Sequence, residues 1–186
     1  MNTITAMQLV ALATHAAKND VRYYLNGLRI HRNHLVATDG HRLTAYPHDF
    51  DLPALEDDAE GYLIPWDIIK NIDKKQESFS ITPDGVFTCG HMKVQLEKTS
   101  RLDYLRVFGN GVLPSYDYDG EIILLNAQYL LDAGKLAAQF SDNRIFSHRL
   151  KSGMVEARAA QGSSVSVVLT RSPLFICIMP FKSSDQ

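Results

Sequence analysis

The strongest constraint on this chain is a recurring order of elements. A short extended run, a helical run and then two or three extended runs follow one another about three times along the 186 residues. Repeats of this kind suggest duplicated α+β units that share an extended sheet. In the first pass, Asn2–Thr5 reads as a strand and Ala6–Lys18 as a helix, with Met7, Val10, Ala13 and Ala17 on one face. Strands are expected at Val21–His31, His34–Thr38 and Arg42–Tyr46, with turns at Arg32-Asn33 and Asp39-Gly40, the latter suited to positive φ. By local rules, Asn26-Gly27 between apolar residues is itself a hairpin signal.

An acidic stretch with Pro53, from His48 to Glu60, connects to the second pass. There Tyr62-Leu63-Ile64 is a strand, Pro65 opens a helix, and Trp66, Ile69 and Ile72 keep helical spacing to about Lys75. Trp66 reads as a core anchor at the helix start. Strands follow at Phe79–Thr82, Val86–Cys89 and Lys93–Glu97, with Pro83-Asp84-Gly85 as a turn. A second connector, Lys98 to Gly120, carries Gly109, Gly111 and Pro114. The third pass has a strand at Glu121–Leu125 and Asn126 as N-cap of a helix through Gln139, bearing Tyr129, Leu130, Ala133, Leu136 and Ala137. Its strands are expected near Arg144–Leu150, Met154–Ala159, Ser164–Leu169 and Phe175–Met179, with Ser152-Gly153 as a turn.

Composition narrows the function classes. An apolar fraction of 45% is ordinary for a chain with a real core. A net charge of −2 gives no global positive field, so any nucleic-acid contact must be local. Cys89 and Cys177 are distant in sequence and lack ligand spacing, which favours a reducing cytosol over a disulfide framework. There is no signal sequence and no bilayer-length apolar run, so a soluble cytoplasmic protein is expected. Seven histidines, four of them His31, His34, His41 and His48, have no carboxylate or cysteine at ligand spacing, and no metal or cofactor is expected. Asp39 and His41 read as turn residues, because no nucleophile elbow accompanies them. Phosphate loops and dinucleotide fingerprints are missing, and no catalytic cluster points to an enzyme.

Several longer runs are specific. Asp20-Val21-Arg22-Tyr23-Tyr24-Leu25-Asn26-Gly27, Val36–Leu43 with Thr38-Asp39-Gly40-His41-Arg42-Leu43, and Asp103-Tyr104-Leu105-Arg106-Val107 with Val112-Leu113-Pro114 resemble the middle domain of the bacterial sliding clamp, the β subunit of DNA polymerase III. That likeness covers roughly residues 4–114. Asn126-Ala127-Gln128-Tyr129-Leu130-Leu131-Asp132 and Ile178-Met179-Pro180-Phe181 resemble the second half of the clamp's last domain. The resemblance implies a DNA clamp fold of about three βαβββ units, with residues 1–114 as a middle-domain-like part and 115–186 as half of a last domain. It places Asn26-Gly27 inside a strand. It also implies that the first domain and the first half of the last, which supply the family's ring joint, have no counterpart here.

The family's peptide groove lies between the middle and last domains. By resemblance, Leu25, Thr38, Gly40, His41, Arg42 and Leu43 form one wall, Leu102, Arg106 and Val107 come from the connector, and Cys177, Ile178, Met179, Pro180 and Phe181 close the other side. The residue types suit this: apolar side chains line a slot, methionine adapts to varied ligands, and arginines bond to peptide carbonyls or carboxylates. Leu102 stands where the family usually has proline. Partner segments carry a glutamine and then leucine and aromatic or aliphatic anchors. Two buried anchors give roughly 3–6 kcal/mol, so micromolar binding, about −8 kcal/mol, is the upper expectation.

By resemblance to a clamp loop that touches DNA, contact is expected from Arg22, Tyr23 and Tyr24, whose rings can stack on exposed bases, and more weakly, by resemblance to the clamp's hole-lining helices, from Lys70, Lys74 and Lys75. One of the two tyrosines is expected on a strand. The implied function is a non-catalytic, shortened clamp that binds clamp-binding peptides of polymerase, clamp-loader or repair proteins, and a polymerase processivity factor if it encircles DNA. The alternative is a decoy or regulator that sequesters those partners without encircling DNA. An orphan third unit exposes a strand edge, so a homo-oligomer is expected.

Overall fold

The computed structural model describes residues 4–53, 55, 60–99, 102–105, 126–140, 157–159, 167–171 and 174–179, with 157–159 and 167–171 as backbone only. The elements, in chain order, are α1 (Ala6–Ala13), a 3₁₀ turn (Tyr23–Leu25), β1 (Gly27–His31), β2 (His34–Thr38), β3 (Arg42–Pro47), β4 (Gly61–Pro65) and α2 (Trp66–Ile69). They continue with β5 (Ser80–Ile81), β6 (Val86–Cys89), β7 (Met92–Gln95), β8 (Glu97–Thr99), α3 (Ala127–Phe140), β9 (Ala157–Ala159), β10 (Val167–Arg171) and β11 (Leu174–Ile178).

An eight-stranded sheet runs in the order β8-β4-β1-β2-β3-β11-β10-β9, and a three-stranded sheet in the order β5-β6-β7. Every pairing is antiparallel. The chain therefore has the expected α+β layering, with helices on one side of the large sheet. Alternation along the strands sorts residues to two faces. Leu28, Ile30, Leu35, Ala37, Tyr46, Ile176 and Ile178 join Leu9, Leu12 and Leu136 in the main core beneath the helices. Val36, Leu43, Ala45 and Cys177 point to the opposite, outer face and form a second cluster with Tyr104.

Several boundaries differ from the sequence expectation. Ile4 and Thr5 are not in a strand, because Thr5 caps α1: its Oγ1 accepts from Gln8 N (3.2 Å), and Gln8 Oε1 accepts from Thr5 N (3.0 Å). The helix α1 stops at Ala13 rather than Lys18. Thr14 Oγ1 donates back to Ala11 O (2.6 Å), His15 turns inward, and Ala17 N donates to Thr38 O (3.2 Å). Its buried face is Ala6, Leu9, Leu12 and Ala13, whereas Met7 is 49% exposed. The run is apolar nearly all round, so periodicity alone did not select the face.

Residues 21–26 are a turn and not a strand, and the ladder begins at Gly27. There the backbone passes so close to Ile64 O and Pro65 Cα that a Cβ would overlap them. Asn26 ends the 3₁₀ turn, so Asn26-Gly27 is neither a hairpin nor wholly strand. Gly40 and Gly85 take φ of +90° and +87° in the expected turns. Four residues suffice for α2, and Lys74 and Lys75 lie in a turn beyond it. Phe79–Thr82 contracts to Ser80–Ile81. The run expected at Lys93–Glu97 divides at Leu96, whose N–H donates to Gly85 O (3.0 Å), and its two parts join different sheets. In the third pass Asn126 caps α3 as expected, its Oδ1 accepting from Gln128 N (2.9 Å), while 121–125, 144–156 and 164–166 lie outside the described residues.

Candidate functional site

The seam between β3 and β11 joins residues more than a hundred positions apart. Its register sets Leu43 opposite Cys177, Ala45 opposite Phe175 and Arg42 opposite Ile178. On the next strand Thr38 stands opposite Leu43 and Val36 opposite Ala45. The outer face thus presents two cross-strand rows, Thr38–Leu43–Cys177 and Val36–Ala45–Phe175. Over them lies the connector, with Tyr104 buried and Leu102, Leu105 and Phe175 half-buried at the margin. Tyr104 OH is 2.9 Å from His34 Nδ1, and its ring lies 4.5 Å from that of His31. Beyond the strands the seam gains one more rung, from Met179 N to His41 O (2.8 Å). Met179 is 41% exposed, and Gly40 and His41 are also exposed there.

The expected groove residues are thus brought together in part. Thr38, Leu43, Leu102 and Cys177 share the outer face, and Gly40, His41 and Met179 meet at one end of it. Leu25 is buried in the 3₁₀ turn. Arg42 and Ile178 point the other way, into the helix layer, because adjacent strand residues face opposite sides. Arg106, Val107, Pro180 and Phe181 lie outside the described residues.

Arg42 is occupied within the chain. Its Nε donates to Asp39 Oδ2 (3.0 Å), Nη1 to Asp132 Oδ2 (2.8 Å) and Nη2 to Thr14 O (3.2 Å), and the guanidinium lies 4.7 Å from the Tyr129 ring centre. Burial alone would raise the Asp132 carboxyl, but hydrogen bonds from Arg42 and Gln128 more than offset it and hold the group below its ordinary range. Beside this cluster His15 is fully buried with Nδ1 2.5 Å from Thr44 Oγ1. Burial, helped by the Arg42 charge, pushes its pKa down to about 4, so the imidazole is neutral.

The expected DNA-contacting loop is rigidly built. Asn26 closes it by accepting from Asp20 N (2.8 Å) and donating to Asp20 O (2.7 Å). Arg22 makes a two-point pair with Asp20 (2.9 and 2.8 Å) and lies against Gly40, where a Cβ would stand 3.0 Å from Nη2. That pair holds the Asp20 carboxyl down to about 2. Val21 and Tyr23 are 99% and 61% exposed. Neither Tyr23 nor Tyr24 lies on a strand, because the 3₁₀ turn takes both. Lys70 pairs with Asp67 (2.6 Å), and Lys74 and Lys75 are exposed. Among the described residues no metal-holding group of side chains occurs, and no helix is long and apolar enough to cross a membrane. Histidine side chains bond within the chain: His15 to Thr44, His34 to Tyr104, and His48, whose Nε2 donates to His31 O (2.8 Å).

Tyr104, Asp132 and His15 were not singled out as site residues by the sequence. An aromatic beside a leucine in a connector is a weak burial signal, and a histidine just past an apolar helical run a similar one.

A solved structure with a similar architecture shows the fold. Over 95% of this chain and 63% of the other, the chain superposes on the Helicobacter pylori β clamp bound to a DNA ligase peptide with a TM-score of 0.50 at 14% identity. The fold is that of a bacterial DNA sliding clamp. The Pseudomonas aeruginosa DNA polymerase III β subunit matches at 19% identity and TM-score 0.47, covering 97% of this chain and 66% of its own. The Thermotoga maritima β subunit matches at 11% and 0.48, covering 99% and 65%. The chain spans less than two thirds of the length of these clamps. No family model matches the sequence, and no curated protein matches it.

Proposed function

We propose that the outer face of the β3–β11 seam docks a short extended peptide from a replication or repair protein, in a non-catalytic clamp-like protein made of a middle-domain-like part (1–114) and half of a last domain (115–186). One observation carries this reading: three distant pieces of chain, represented by Leu43, Cys177 and Leu102, meet in one apolar cluster on an outer face with exposed Met179 and His41 at its end. The clamp of similar fold that holds a DNA ligase peptide supports it by analogy. Arg42 and Ile178 hold the helix layer, while contact with the peptide falls to the outer-face residues and the exposed end.

Arg22, Tyr23 and Tyr24 are proposed to meet DNA, in an assembly of several copies around the duplex. Titration of a fluorescent peptide carrying glutamine, leucine and an aromatic anchor tests the docking site. The wild type should saturate in the micromolar range, and Leu102→Glu or Met179→Glu should weaken binding by about tenfold or more. Absence of saturation with the wild type removes the proposal. Light scattering with circular DNA then separates an encircling assembly from a partner-sequestering regulator that never gains DNA mass.

A further inference from the structure

We infer that Arg42 is the positioning residue of the seam: it aligns β11 against β3 from behind and so shapes a peptide site it does not itself touch. The inference rests on the proposed docking role for its functional consequence, and on geometry for its physical basis. Each of the three guanidinium nitrogens has a partner on a different piece of chain: Asp39 in the β2–β3 turn, Asp132 on α3 and the Thr14 carbonyl just past α1. The Tyr129 ring adds a fourth contact, one turn before Asp132 on the same helix. The side chain is only 10% exposed. Removing one partner of such a half-buried pair destabilises the junction, because the other charge is left partly desolvated without its counter-charge.

Geometry explains why the seam depends on this side chain. Arg42 stands opposite Ile178 in the ladder, next to the last rung from Met179 N to His41 O. The helix α3 packs on both α1 and β11. Fixing Asp132 to Arg42 therefore fixes the helix that lies on β11. A lysine ammonium has three donors on a single nitrogen but lacks the planar fork whose separate nitrogens reach three partners at fixed angles.

Amide exchange and peptide titration on the full chain test this together. Arg42→Ala should raise exchange at the Met179 amide and weaken peptide binding, each by about tenfold, while amides of the β1–β4 ladder stay protected. Asp132→Asn is the milder variant if Arg42→Ala does not fold, and it should move both readouts in the same direction. Asp132→Asn is also the decisive protein, because it loosens the tie to α3 while the cation stays at position 42. Loss of peptide binding in Arg42→Ala, with binding and Met179 protection both unchanged in Asp132→Asn, would mean that Arg42 contacts the peptide, and would overturn the inference. Unchanged Met179 exchange in Arg42→Ala would overturn it too. A wild type that binds no peptide but shows the exchange pattern upholds the alignment role and defeats the docking reading separately.

Discussion

Acidification should loosen this molecule through His15. Its imidazole is fully buried, with burial first and the Arg42 charge second in pushing its pKa from 6.5 to about 4. The unfolded chain then binds a proton at higher pH than the native one does. Stability from this group is complete above pH 6.5 and is lost progressively as pH falls toward 4. A difference of about two and a half pK units corresponds to about 3 kcal/mol. His48, also brought down to about 4 mainly by burial, acts in the same window and with the same sign. Urea midpoints measured from pH 7.5 to 4 should therefore fall steeply below pH 6.5. His15→Gln should remove a substantial part of that slope. An imidazole resonance of His15 titrating near 6.5 in the native protein would refute the reasoning, as would midpoints that stay constant down to pH 5.

Three further substitutions, at two positions, probe the scaffold of the site. Tyr104→Phe keeps the ring among Leu43, Val36 and Cys177 but removes the bond to His34, so thermal or urea unfolding should show a loss of about 1 kcal/mol. Tyr104→Ala should cost about 3–5 kcal/mol through the cavity it leaves. Gly27→Ala drives a methyl into Ile64 O and Pro65 Cα at the β1–β4 rung, and a loss of about 2 kcal/mol or more is expected from the same assay.

What was legible in the sequence was mostly local. Asn126 before an apolar-periodic run marked α3, β2 ended at the Asp39-Gly40 turn, and β6 began just after Pro83-Asp84-Gly85. Short-range rules failed where a tertiary bond decided the boundary. Ala17 leaves the helical path to bond Thr38, and Leu96 breaks a continuous alternating run to bond Gly85. The pairing of β3 with β11 is invisible to periodicity, since neither strand encodes its partner, and only the likeness of the Val36–Leu43 and Ile178–Phe181 runs to one family brought them together. That likeness names residues on both strands of the seam but does not encode which face each one takes. Strand alternation turns Arg42 and Ile178 inward, and Asp132, the partner of Arg42, is 90 residues away.

The central claim is that the outer face of the β3–β11 seam receives another protein's peptide. Methyl resonances of Leu43, Leu102, Met179 and Ile178, followed while unlabelled clamp-binding peptide is added, test it most directly. Leu43, Leu102 and Met179 should shift in proportion to occupancy, with Ile178, beneath the helices, moving least. Shifts confined to the helix side, or no shift at saturating peptide, would contradict the claim.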